Sequence, residues 1–323
     1  MYQYRFTIFT STYNRAHTIH RVWESLNAQT FKNFEWLVFD NKSSDNIKEV
    51  LDGYVKEASF PMKVTYNEEN IGKHLAMNKA FDMAKGEFFV IADSDDSIMP
   101  NALERFDKIW SSIPETERNN FSGINVQCLN TTTGKFVGDP FPEDRFISNN
   151  LELKYRYGIT GEKWGIIRTD LMSKYRYPEI RSELGYFIDN IIWFGLAKDG
   201  YKVLCVNEAM KYYFVDTNNS VTKLKTKNPL RGANVFYYYI NWNLNNNLDY
   251  ILQYGPRKEL LRNFVGLVRF GLATDNTLGQ IIKNAKNRKM KSLLILILPL
   301  AYLMYQFTYK KFKKMGSKAS QEN

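Results

Sequence analysis

The chain holds 323 residues, 44% hydrophobic, 15% aromatic and 24% charged, which is enough apolar content for packed domains and too much for a disordered chain. Its formal net charge of +10 does not point to nucleic acid. Ten basic residues lie between 283 and 318 with no acid among them, and the remaining 34 balance 34 acidic residues. Two cysteines, Cys128 and Cys205, are too few for a disulfide framework or a Cys-only zinc centre and suit a reducing compartment.

The first hundred residues alternate strand and helix. Strands are expected at Tyr4–Ser11, Phe34–Phe39, Met62–Tyr66 and Glu87–Ala92. Helices are expected at Thr18–Gln29, at Asp45–Ala58 behind a Ser/Asp cap, at Gly72–Ala84, and from Pro100 to Trp110 with proline in the first turn. This order predicts an α/β fold with a mostly parallel sheet and helices on both faces. In such sheets ligands bind beyond the carboxyl ends of the strands, so the polar residues there are the ones to weigh. From about 120 the pattern changes. Strands are expected at Phe121–Leu129, Phe136–Val137, Trp164–Arg168, Tyr201–Val206 and Met210–Val215, and an apolar helix at Phe187–Lys198. Residues 139–160 have no clear pattern. Beyond about 223 the chain reads as a helical, aromatic appendage.

Ile91-Ala92-Asp93-Ser94-Asp95-Asp96 places three carboxylates just after an apolar strand. In a core they would repel one another; at a strand end they can share a hard divalent cation. A solvated acidic turn that caps the next helix is the plain alternative. Three further polar segments follow the earlier strands: Thr10-Ser11-Thr12-Tyr13-Asn14-Arg15, Asp40-Asn41-Lys42-Ser43-Ser44-Asp45 and Asn67–Asn78, NEENIGKHLAMN. No phosphate-loop, dinucleotide, nucleophile-elbow or HExxH motif is present.

In the order and spacing of these segments, residues 4–222 resemble the bacterial family 2 glycosyltransferases, which have the Rossmann-like GT-A fold and use nucleotide sugars. The resemblance implies a glycosyltransferase domain over 1–222, with a nucleotide-binding half to about 115 and an acceptor half from about 116. It implies that Thr12, Tyr13 and Asn14 line the nucleotide pocket and that Asp40 holds the base, commonly uracil. Lys73 or His74 would meet the diphosphate, Asp93 would contact the donor sugar or ribose, and Asp95 would take Mn²⁺ or Mg²⁺. A general base is placed at Asp189, four residues before Trp193, with Glu183 as its substitute. The plain readings are an Asx turn for Asp40, a solvated helix start for Lys73, a helix-surface histidine for His74, a helix N-terminal acid for Asp189 and a core tryptophan for Trp164. The chain departs from the family pattern at Asn41, Ile188 and Thr217, where an acid, a glutamate and a histidine are common.

The tail combines the basic clusters with the most apolar run, Leu293–Tyr305, extended by Phe307 and Tyr309. As a helix, Leu293–Tyr309 is about 25 Å long, short for a span and interrupted by Pro299. A membrane-surface segment, a span and a helix packed on protein all fit this pattern. The start of the chain has no apolar signal region, and Met1–Thr12 alternates like a strand, so the globular part is expected in the cytoplasm at the inner face of the membrane. The expected activity is inverting sugar transfer from a UDP-sugar to an acceptor hydroxyl, with a lipid-linked glycan in surface polysaccharide synthesis as acceptor. A nucleotidyltransferase on a related fold, or a non-catalytic membrane-docked partner, are the alternatives.

Overall fold

The computed structural model describes residues 2–182, 186–215 and 232–319, with side chains to residue 307. Two compact units are formed, one from Met1–Glu179 with Ile192–Asn218, the other from Ile180–Ile191 with Asn219–Asn323.

The first unit is built on one nine-stranded sheet in the order β3-β2-β1-β4-β8-β6-β9-β5, with β7 beside β9. The strands are β1 Tyr4–Thr12, β2 Phe34–Asp40, β3 Met62–Tyr66, β4 Gly86–Ile91, β5 Ser97–Ile98, β6 Phe121–Asn130, β7 Arg145–Ser148, β8 Lys163–Arg168 and β9 Lys202–Tyr213. The helices are α1 His20–Asn27, α2 Ile47–Glu57, α3 Gly72–Met83, α4 Ala102–Ser111 and α5 Asn190–Lys198. The expected βαβ alternation is present: β1 to β4 are mutually parallel, and β8 runs antiparallel between β4 and β6. Every residue of β2 is buried, the mark of a strand covered on both faces. Trp36, Phe6, Phe34 and Phe88 are fully shielded in the main core.

Parallel register brings the strand ends together. Thr12 lies opposite Asp40, Asp40 opposite Tyr66, and Phe9 opposite Ile91. The polar segments after β1, β2, β3 and β4 therefore emerge along one edge.

Two elements differ from expectation. The strands expected at Tyr201–Val206 and Met210–Val215 form one strand, β9, which bends at a bulge opposite Val126–Cys128. Asn207 stabilises this bend. Its Nδ2 donates to the carbonyls of Phe141 (2.9 Å) and Glu143 (3.1 Å), and its Oδ1 accepts from the Phe141 N–H and Gln127 Nε2. Phe136–Val137 forms only a single bridge, Leu129 to Phe136. Both cysteines are free and buried, and burial pushes the Cys128 thiol up to about 12, which leaves it inert.

In the second unit the helices Ala233–Tyr254 and Arg257–Ala273 pack by Phe236 stacking on Phe270 and by Ile240 against Gly266. The helix Arg288–Ala319 runs unbroken through Pro299, which corrects the expected interruption; a helix can continue through proline at the loss of one hydrogen bond. Met290, Leu294 and Ala301 are buried along one side. Leu296, Leu300, Leu303 and Phe307, which share the opposite side at helical spacing, are exposed, two of them by 76%.

Asn207→Ala would leave Gln127 and the Phe141 amide without their acceptor. A loss of about 2 kcal/mol is expected in urea-melt stability, with the unfolding m-value unchanged.

Candidate active site at the strand ends

The loops after β1 and β2 are tied to each other. Asn14 adopts a left-handed backbone, φ 53°, which asparagine tolerates. Its Oδ1 accepts from the Ser44 N–H at 2.8 Å, and its N–H donates to Ser43 Oγ at 2.8 Å. The Asp45 carboxylate accepts from the Ala16 N–H at 2.9 Å. Asp40 is buried, and its carboxylate accepts from both the N–H and the hydroxyl of Ser43, a turn-capping geometry. Asn41 donates to Ser11 Oγ at 2.8 Å and accepts from Asn67 at 3.2 Å. Thr12 is buried and Tyr13 is half exposed. The Thr12 carbonyl accepts from the Asn41 N–H at 2.9 Å, so Thr12, Asn14 and Asp40 belong to one bonded loop cluster, with Tyr13 between the first two in the chain.

The acidic run after β4 forms the second half of the site. Trp164 Nε1 donates to the Ile91 carbonyl at 2.6 Å and its ring packs on Phe106, so this tryptophan is a core residue that holds the end of β4. Asp93 bonds to Lys73 Nζ, and its second oxygen lies 3.3 Å from Lys211 Nζ. Lys211 Nζ also lies 2.8 Å from Asp96 and 3.5 Å from Glu162. Asp96 further accepts from the Phe214 N–H at 3.1 Å. Asp95 has Arg15 at 3.6 Å, and its backbone carbonyl accepts from Arg21 at 2.9 Å. The Arg21 guanidinium lies over the Phe214 ring, 4.1 Å from its centre.

Burial acts against ionisation throughout this group, and the counter-ions decide the outcome. At Asp93 burial is outweighed by Lys73 and Lys211 together, which hold the carboxyl well below the usual range. At Asp95 burial and the neighbouring Asp93 charge prevail over Arg15, so its pKa is raised. Burial pushes Asp96 up to about 6 in spite of Lys211. For Lys211 burial is outweighed by Asp93, Glu162 and Asp96, and the ammonium is retained.

Lys73 sits in the first turn of α3 and reaches the acidic run. His74 is buried, edge-on to Tyr177, so the plain alternative of a helix-surface histidine does not hold. Asp189 is exposed at the turn before α5; the helix begins at Asn190, later than expected, and Asp189 belongs to the second unit. Glu183 and Thr217 lie outside the described residues. Sequence reasoning missed Lys211, Arg15, Arg21 and Glu162. The signal for Lys211 was a lone lysine among apolar and aromatic residues of an expected strand, Met210-Lys211-Tyr212-Tyr213.

Among the described residues no group of three His, Cys, Asp or Glu side chains converges to hold a metal ion. Asp93 and Asp96 are engaged by lysine. Asp95 remains, a quarter exposed, with Arg15 as its ion-pair partner among the described residues and with a charge the site destabilises. Among the described residues Asp93, Asp95, Asp96 and Glu162 have Lys73, Lys211 and Arg15 as ion-pair partners, and the Arg21 guanidinium is held on the Asp95 carbonyl. That donor set suits a hard cation held by one carboxylate, with the remaining ligands coming from substrate phosphate and water.

Residues 7–116 match the family model described as glycosyl transferase family 2. The chain is 30% identical over 232 residues to the Escherichia coli UDP-Glc:alpha-D-GlcNAc-diphosphoundecaprenol beta-1,3-glucosyltransferase WfgD, covering 70% of this chain and 83% of that one. It is 26% identical to the putative teichuronic acid biosynthesis glycosyltransferase TuaG of Bacillus subtilis, over 68% and 82% of the two chains. Among solved structures it is similar to residues 1–349 of S. aureus TarS in complex with UDP-GlcNAc, with a TM-score of 0.58 at 18% identity, over 96% and 92% of the chains. It spans 55% of a longer TarS structure. At that identity the likeness shows the fold, the GT-A arrangement.

Lys211→Met would leave Asp96 and Glu162 without their shared cation. A stability loss of about 3–5 kcal/mol is expected in denaturant melts. Adding Asp96→Asn should restore part of it, because one of the stranded charges goes with it.

Proposed function

The chain belongs to glycosyl transferase family 2, and we propose that it is an inverting, metal-dependent enzyme that moves a sugar from a UDP-sugar to an acceptor hydroxyl. The observation that carries this reading is the joining of the two halves of the site at one sheet edge: the bonded loops around Asp40 and Asn14, and the acidic run with one under-compensated carboxylate, Asp95. Thr12, Tyr13, Asn14 and Asp40 bind the nucleoside. Lys73 meets the diphosphate, with His74 as the second candidate, and Asp93 contacts ribose or sugar. Asp95 would hold Mn²⁺ or Mg²⁺, which supplies charge neutralisation for the departing diphosphate. Asp189 takes the proton of the acceptor hydroxyl as that oxygen attacks the anomeric carbon from the face opposite the leaving group.

The activity for which WfgD is named, glucosyl transfer to a diphosphoundecaprenol-linked sugar, supports a lipid-linked glycan acceptor in surface polysaccharide synthesis. The TarS complex supports a UDP-sugar donor. In this reading residues 1–222 form the transferase domain and 223–323 a helical region that docks on the inner face of the cell membrane. Support for docking comes from the uncovered apolar side of the last helix and the lysines that flank it.

Calorimetric titration tests the donor. UDP is expected to bind in the presence of Mn²⁺, and Asp95→Ala should abolish the metal's contribution. Failure of UDP to bind the wild-type protein would remove the UDP-sugar reading. With a donor and acceptor in hand, Asp189→Asn is expected to lower kcat by about 10²–10⁴-fold with UDP affinity unchanged. Leu296→Glu with Leu303→Glu changes only the exposed side of the last helix. That pair should prevent flotation with anionic vesicles, and unchanged flotation would exclude this side as the docking face.

A further inference from the structure

Asp93 has two lysines where its charge requires one. The two differ in what else holds them. Lys73 stands on the first turn of α3 with its side chain 28% exposed. Lys211 lies in β9, is 1% exposed, and is clasped by Asp96 and Glu162 as well. Only Lys73 has access to an arriving ligand. Releasing a half-buried carboxylate from its sole counter-ion would strand an uncompensated charge, and more so beside a second anion.

Resting on the UDP-sugar reading above, we propose that Lys211 is a positioning residue: it is the standing counter-ion of Asp93, and so frees Lys73 to exchange Asp93 for the diphosphate of the incoming donor. In the donor-free site Lys73 is parked on Asp93. When the diphosphate arrives, Lys73 gives up a carboxylate oxygen and takes a phosphate oxygen. Asp93 stays charged and stays in place through Lys211, and no proton moves. Lys211 cannot itself make the exchange, because it is shielded from solvent and shared among three carboxylates. The lysine that sequence reading passed over thus sets the affinity of the one it found.

The test compares UDP with uridine, which lacks the diphosphate, by calorimetry at saturating Mn²⁺ on the full chain. Lys73→Met is expected to weaken UDP about tenfold and leave uridine unchanged, the effect of one charge-assisted bond. Lys211→Met is expected to weaken UDP by a similar factor without moving uridine, because Lys73 is then retained by Asp93. In that background Lys73→Met should cost less than about threefold more, a non-additive cycle. Lys211→Arg should recover most of the UDP affinity. If Lys211→Met does not fold, Lys211→Met with Asp96→Asn takes its place in the cycle. Equal cost of Lys73→Met with and without Lys211, or equal weakening of UDP and uridine by Lys211→Met, is what a purely structural lysine gives, and either would overturn the proposal alone. Absence of UDP binding to the wild-type protein would overturn the donor reading and this proposal with it.

Discussion

Carboxylates after β4 and on the strand-end loop before β8 lie within a few ångströms of one another because a lysine ammonium is buried among them. Lys211 Nζ, 1% exposed, joins Asp96, Asp93 and Glu162, and so connects β9 to the end of β4. Such a charge is tolerated in the interior only when its partners are close and bonded. Trp164 adds a neutral constraint on the same strand end through the Ile91 carbonyl. Together they give the acidic run one conformation, in which Asp93 and Asp96 face lysine and Asp95 faces Arg15.

The bend in β9 follows from the same arrangement. Its first half pairs with β7 and its second with β5, and Asn207 supplies the hydrogen bonds where the ladder slips. After the bulge the strand delivers Lys211 to the acids and the Phe214 amide to Asp96.

Much of the N-terminal half was legible in the sequence. Buried parallel strands read as apolar runs, and the polar segments between them stand at strand ends by topology alone, so Thr12, Asn14, Asp40, Asp93 and Asp95 were visible as candidates. Long-range pairing was not. Nothing in Met210-Lys211-Tyr212 announces that its lysine meets acids more than a hundred residues earlier, nor that Glu162 joins them. A bulge also reads as a break, because the asparagine that stabilises it looks like any turn residue; hence one strand appeared as two. The plain alternative for His74, a helix-surface residue, failed for a related reason. The first turn of a helix is commonly exposed, and Tyr177, which covers it, is distant in sequence.

Pro299 has no N–H to give to the carbonyl of Ile295, four residues earlier in the last helix. In water that oxygen is hydrated without cost, and Ile295 is 57% exposed. Were the segment Arg288–Phe307 to stand upright across a bilayer, the orphaned oxygen would sit near its middle, where hydrocarbon offers no donor. Were it instead to lie along the headgroup boundary, the same helix would keep the oxygen within reach of water while its leucines entered the acyl layer. On a membrane the missing hydrogen bond would thus act as a depth gauge, because a tangential pose costs less than an upright one.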